Sequence, residues 1–250
     1  MRTTKRIKAV IFDLDDTLID WSGLQLSFRD YVAPSYNNIH QHLVDLGFKM
    51  PPIDEMQKIA YDCVVAEWTE KKKTYAGANF GDALIAMLKR CGINPAQVNL
   101  TELMEAYDNQ PAPGVEPYPD THKVLTQLKL NDYKIGLITN AFQPMWMRDS
   151  ELKAYDLMKY LDARITSGDT RFMKPHPAIY WRMLGLLDLM PEDCVFVGDR
   201  PAHDIQGAHN VGMLGVMMDP PHLDRGFEGT NPDFVINSLS ELLPILKELD

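Results

Sequence analysis

The chain is predicted to be an α/β protein: a doubly wound parallel sheet with an inserted all-helical block. Three observations predict it. Short apolar runs bounded by turn residues recur at Ala9 to Phe12, Ile135 to Ile138, Ala163 to Thr166, Cys194 to Val197, Leu214 to Met218 and Phe234 to Ile236. They are continuous rather than alternating, as strands covered on both faces are, and segments of helical spacing separate them. Between roughly residues 21 and 111 such runs vanish and helical spacing dominates.

Taken in order, the first run ends in Asp13-Leu14-Asp15-Asp16-Thr17, so the opening strand delivers acids at its carboxyl end. In the helical block, Ile53, Met56, Ile59 and Cys63 share one helical face, as do Leu84 and Leu88. The proline-rich stretch from Asn109 to Pro119 resists both helix and strand and forms a semi-rigid connector. One hinge is placed there and the other near Asp20 to Gly23. The expected division is therefore a core of residues 1–20 and 112–250 and a helical unit of residues 21–111. Beyond it, Val124, Leu125 and Leu128 share a face, as do Ile179, Met183 and Leu187. Ser238 followed by Glu241, before Leu242, Leu243 and Leu246, is a capping-box signature for the last helix.

Composition excludes several classes. With 45% hydrophobic and 24% charged residues among 250, the chain is an ordinary globular protein. A formal charge of −10 repels nucleic acid. The one dense basic run, Lys71 to Lys73, lies beside Glu67 and Glu70 and reads as a solvated helix face. Cys63, Cys91 and Cys194 form no CxxC pair, which points to neither zinc nor disulfides and to a reducing, cytoplasmic setting. The basic opening runs into acids after Phe12 instead of a cleavage site, unlike a signal peptide. No stretch reaches the roughly 18 apolar residues of a membrane span. Apolar helix faces leave monomer and homodimer both open.

The chemistry gathers at strand ends. Two carboxylates about 4 Å apart repel by roughly 4 kcal/mol at an effective dielectric of about 20, so the first turn calls for a cation or a shared proton. Hard oxygen donors of this kind suit magnesium. A second acidic turn, Gly198 to Asp204, follows Val195-Phe196-Val197 and brings Asp199 and Asp204 to the same edge of a parallel sheet. Thr139 and Asn140 follow Ile138 and offer a hydroxyl and an amide to phosphoryl oxygens; Lys174 offers an ammonium against developing charge.

In this order, DLDDT from Asp13, TN at Thr139, KPHP at Lys174 and GDRPAHD from Gly198 resemble the four motifs of the haloacid dehalogenase superfamily, over nearly the whole chain. The resemblance implies a Rossmann-like core with the helical block as a mobile cap. It implies hydrolysis of a small phosphorylated metabolite, with magnesium, through an aspartyl-phosphate. Asp13 is then the nucleophile, and Asp15 the acid that protonates the leaving oxygen and afterwards the base, which asks for a raised pKa. Thr139, Asn140 and Lys174 hold phosphoryl oxygens. Asp13, Asp199 and the Asp15 carbonyl bind the metal, Asp204 reaches it through water and orients Lys174, and Thr17 braces the first loop. Trp21 is the specificity candidate, and Arg171 or Arg200 is a candidate clamp for a second anionic group. His176, His203, His209 and the run Met145 to Met147 read as structural. Dehalogenases of the family lack the second aspartate, so Asp15 argues against that activity. Phosphomutase, phosphonatase through a cap lysine such as Lys49 or Lys71 to Lys73, and a catalytically silent binding protein remain as alternatives.

Overall fold

The computed structural model describes residues 7–223, 225–227 and 229–249; the basic opening lies outside them. The elements in chain order are β1 (Ala9–Phe12), β2 (Ile19–Asp20), α1 (Phe28–Asp45), α2 (Ile53–Lys72), α3 (Phe80–Arg90), α4 (Leu100–Ala106), β3 (Glu116–Pro117), α5 (Thr121–Leu130), β4 (Lys134–Thr139), α6 (Met145–Ala154), β5 (Ala163–Thr166), α7 (Ser167–Thr170), α8 (Pro177–Leu187), β6 (Cys194–Gly198), α9 (Gln206–Val211), β7 (Leu214–Met218), β8 (Phe234–Ile236) and α10 (Leu242–Leu249). The main sheet has six strands in the order β5-β4-β1-β6-β7-β8. Every pairing in it is parallel, so the predicted doubly wound α/β class holds.

Because the centre of the sheet is covered on both faces, β1 and β6 are buried at every position yet feed two different cores. Val10, Phe12, Ile135, Leu137, Val195 and Val197 pack with α5 and α10 through Leu125, Leu128 and Leu246. Ala9, Ile11 and Phe196 pack on the other face with Ile179, Tyr180 and Met183 of α8. Each large side chain buried this way stabilises the fold by about 1.5–3 kcal/mol. β1 lies in the middle. The chain winds outward from it through β4 and β5, then returns to its other side through β6, β7 and β8, which creates a switch point beside β1.

Helices α1 to α4 build a third apolar cluster from Val32, Tyr36, Ile39, Met56, Cys63, Phe80, Leu84, Leu88 and Tyr107. Two short links join these helices to the core, and they pair antiparallel as β2 and β3. Gly23 and Gly114 make this close approach possible: a Cβ on Gly23 would stand 1.9 Å from the Gly114 carbonyl oxygen, and Gly114 takes φ +82°. The block is not helical throughout. The link between α2 and α3 runs extended against the core, where Ala76 bridges Phe172, the Gly77 N–H donates to the Arg171 carbonyl at 2.8 Å and the Met173 N–H donates to Tyr75 at 3.0 Å.

The capping box expected at Ser238 does not form. Leu239–Glu241 wind as a 3-10 turn, so the Glu241 N–H that Ser238 would cap donates instead to the Ser238 carbonyl at 3.1 Å. The Glu241 carboxylate accepts from the Asn237 N–H at 3.2 Å. Among the described residues, no helix is long and apolar enough to cross a membrane.

Candidate active site

Strand register places the acids. Phe12 is level with Leu137 of β4 and Val197 of β6, so Asp13 emerges one residue before Asp199 on one side and one before Thr139 on the other. The Asp13 N–H extends the ladder by donating to the Val197 carbonyl at 2.9 Å. Asp204 arrives on a π-helical turn, Pro201–Ile205, whose wide coil turns its carboxylate back over Gly198. A Cβ on Gly198 would stand 2.4 Å from that carboxylate, so only glycine leaves room for it. Lys174 is fixed by Asn140. The Asn140 amide donates to the Lys174 carbonyl at 3.1 Å, and its Oδ1 accepts the Lys174 N–H at 2.8 Å. Where phosphate binding is expected of Asn140, both ends of its side chain are committed to the Lys174 backbone, and the residue lines the polar cavity.

The Lys174 ammonium lies 2.8 Å from Asp13 Oδ1 and 2.7 Å from Asp204 Oδ1. Burial opposes its charge, but the two carboxylates outweigh burial and raise its pKa, so it stays an ammonium. Asp204 is fully used, since its Oδ2 accepts the Arg200 N–H at 2.9 Å. Asp199 is not. Its Oδ1 is buried and meets no hydrogen-bond donor among the described residues, while its Oδ2 pairs with the Arg225 Nε at 2.6 Å. Burial pushes Asp13 up to about 7, against the pull of Lys174. Burial, aided by the charges of Asp13 and Asp204, pushes Asp199 up to about 8. Oxygens of Asp13, Asp199 and Asp204 lie within 4.8 Å of one another. Three acids held by Lys174 and Arg225, with an uncommitted oxygen on Asp199, form a hard oxygen cluster that fits a magnesium ion.

Asp15 stands apart from that cluster, half-buried. Its Oδ1 accepts from Trp21 Nε1 at 2.8 Å and from Arg148 at 3.0 Å, and its Oδ2 from the Thr139 hydroxyl at 3.2 Å. Burial would raise its pKa, but the Arg148 guanidinium, with these hydrogen bonds, holds the carboxyl below its ordinary range. The raised pKa expected of a resting acid is thus overturned by a cation that the motifs do not contain. Arg148 is itself buried between Asp15 and Glu151.

Two cavities meet at Asp15. One, of about 260 Å³, is polar and lined by Asp13, Lys72, Thr139, Lys174, Arg200 and His203; the other, of about 340 Å³, is walled largely by aromatic side chains. Lys72 therefore faces a cavity, not solvent alone. The signal was present: Lys71 and Lys73 pair with Glu67 and Glu70, whereas one turn before Lys72 the chain carries Trp68 and Thr69. Arg148 had a signal too, a charge lying in helical register with Met145 and Leu152 on a buried face.

The remaining expectations part ways. Arg171 pairs with Asp82 of α3 at 2.9 Å and lines neither cavity, while Arg200 lines the polar one. Thr17 holds the first loop through its N–H, 3.3 Å from the Leu14 carbonyl, and its buried hydroxyl meets no partner among the described residues. His176 caps α8 by accepting the Ala178 N–H, and His209 pairs with Asp233. His203 lines the polar cavity, with burial pushing its pKa down.

Residues 10–218 match the haloacid dehalogenase-like hydrolase family. The chain belongs to that family. It is 31% identical to the glyceraldehyde 3-phosphate phosphatase of Pyrococcus furiosus, over 97% of this chain and 94% of that one. It is 36% identical to the pyrophosphatase PpaX of Bacillus mycoides, over 98% and 99%. A crystal structure of a haloacid dehalogenase family phosphatase from Thermococcus onnurineus aligns over 96% of this chain and 98% of that one, with 27% identity and a TM-score of 0.61. This member of the haloacid dehalogenase family is a phosphatase.

Proposed function

We propose that the chain hydrolyses phosphate monoesters of small molecules with magnesium, through a phosphoryl group carried on Asp13. The observation that carries this reading is the convergence of Asp13, Lys174, Asp199 and Asp204 on one end of β1 and β6, with Asp15 at the border of a second cavity. Asp13 and Asp199, with the Asp15 carbonyl, are the residues that would hold magnesium. Its positive charge would keep Asp13 ionised and offset negative charge on the phosphoryl oxygens.

As the phosphoryl charge arrives and raises its pKa, Asp15 takes up a proton from solvent; an Asp13 carboxylate oxygen attacks phosphorus, the ester P–O bond breaks, and Asp15 passes that proton to the departing oxygen. A water then attacks phosphorus, Asp15 takes its proton, and the Asp13–phosphorus bond breaks to release phosphate. Lys174 holds negative oxygens while its own position is fixed by Asp204 and the Asn140 clip. Asp15 reaches both steps because Trp21, Arg148 and Thr139 fix its orientation. The helices α1 to α4 serve as the cap, hinged at β2 and β3. Three unpaired cysteines suit a reducing, cytoplasmic setting.

The test is phosphate release from 4-nitrophenyl phosphate by the purified chain with magnesium, with EDTA, and by Asp13→Asn with magnesium. Release is expected only in the first case. Equal rates in all three would remove both the nucleophile and the metal from the reading.

A further inference from the structure

The two cavities share Asp15, Trp68 and Asn140 and little else. For Asp15 to protonate the leaving oxygen, that oxygen has to stand beside it. The phosphoryl group then occupies the polar side with Asp13 and Lys174, and the rest of the ester occupies the chamber of about 340 Å³. This volume is that of a small-ligand site.

The chamber offers an ester few polar partners, the Tyr61 and Thr69 hydroxyls among them, on walls that are mainly apolar. Its walls include Trp21, Phe28, Tyr31, Tyr61, Trp68 and Phe142. Arg148, the guanidinium on its floor, is neutralised between Asp15 and Glu151. The Gln143 amide donates to Asn109 Oδ1 at 3.3 Å, and the Tyr31 hydroxyl donates to the Gln110 carbonyl at 2.7 Å. A polyol entering here would lose more hydrogen bonds to water than this lining returns. A second phosphate would find no free countercharge on this side. Trp21 and Phe28 both stand edge-to-face against Tyr31, at 6.2 Å and 5.9 Å between centroids, an arrangement that another flat ring extends.

We propose that the group esterified to the phosphate is a flat aromatic ring system on a short linker, seated against Trp21, Phe28 and Trp68. The proposal rests on the phosphatase reading above and names its substrate class. It also sets this chain apart from a relative named for glyceraldehyde 3-phosphate, whose alcohol is small and polar.

Three esters of primary alcohols keep the leaving-group chemistry comparable: benzyl phosphate, cyclohexylmethyl phosphate and glycerol 3-phosphate, each assayed by phosphate release with magnesium. The expected order of kcat/KM is benzyl, then cyclohexylmethyl, then glycerol, with about tenfold or more between first and last, the scale of a ring's worth of pocket contacts. Phe28→Ala, at a position 44% exposed and so removable without emptying a core, should narrow the benzyl-to-glycerol ratio about fivefold through KM, and Trp68→Ala more. Glycerol 3-phosphate turning over as fast as benzyl phosphate, with Asp13→Asn still silent on both, would overturn the aromatic assignment and leave the phosphatase standing. Equal benzyl and cyclohexylmethyl rates would overturn the flat ring. No release from any of the three would remove both readings.

Discussion

Replacing Lys174 by methionine keeps the length of the side chain and deletes its charge. The ammonium sits 2.8 Å from Asp13 and 2.7 Å from Asp204, and it is 1% exposed. At an effective dielectric of about 20, each contact has a Coulomb attraction of about 6 kcal/mol, most of it offset by the cost of burying three charged groups. Removing one partner leaves the others buried and unpaired, which costs about 3–5 kcal/mol. For a chain of this size each kcal/mol moves Tm by about 2–4 °C, so Lys174→Met in EDTA at neutral pH is expected to melt about 6–20 °C below the parent. Circular dichroism followed through a thermal ramp measures it. Adding Asp204→Asn to Lys174→Met should restore part of the loss, because one unpaired carboxylate goes with it. A single variant melting within about 2 °C of the parent would show that the ammonium does not hold the acid cluster together, and the electrostatic account of the site would fail.

The metal-free chain should lose stability as pH rises. Burial raises Asp13 from 3.8 to about 7 and Asp199 from 3.8 to about 8, so between those limits the folded chain keeps protons that the unfolded chain has released, and rising pH favours unfolding. The contribution of these two acids is present near pH 4 and lost by about pH 8. Melting in EDTA should therefore be higher at pH 5 than at pH 8, with magnesium adding more at pH 8, where its ligands are ionised; the reverse order would contradict the burial argument. Arg148→Met should cost about 3–5 kcal/mol in urea unfolding by stranding Asp15 and Glu151, and Glu151→Gln on that background should recover part of it. With the guanidinium gone, burial should lift Asp15, so the alkaline limb of kcat moves to higher pH; an unmoved limb would detach Arg148 from Asp15.

What could be read from the chain follows from where the physics is local. Strands buried on both faces have to be apolar at successive positions, so Ala9–Phe12 and Leu214–Met218 announce themselves at their observed bounds. Acids directly after such runs have nowhere to go but the carboxyl edge, which is why Asp13 and Asp199 could be placed near each other. Partners brought in by tertiary packing leave a weaker trace. Arg148 reaches Asp15 across 133 positions, and Arg225 reaches Asp16 across 209. Neither spacing has a motif. Thr166 and Asp169 carry a capping box that α7 does use, whereas Ser238 and Glu241 carry the same pattern and a 3-10 turn undoes it. The pattern is the same, and the local winding decides.

Arg148 also bears on how, in the proposed mechanism, Asp15 would serve as acid and then as base. Before an ester binds, the guanidinium keeps Asp15 ionised, so the proton for the leaving oxygen cannot be stored there in advance. A phosphoryl group arriving beside Thr139 and Asp15 brings negative charge, which raises Asp15 and opposes Arg148. The two influences work against each other, and a group poised between them gives up and takes back a proton with little driving force in either direction. That balance is what consecutive acid and base steps require of a single residue. Glu151 belongs to the same argument. By sharing the guanidinium it weakens the hold on Asp15, so Glu151→Gln should leave Asp15 lower still and slow the protonation of poor leaving groups more than that of good ones. A uniform slowing across leaving groups would break the link between Glu151 and the acid.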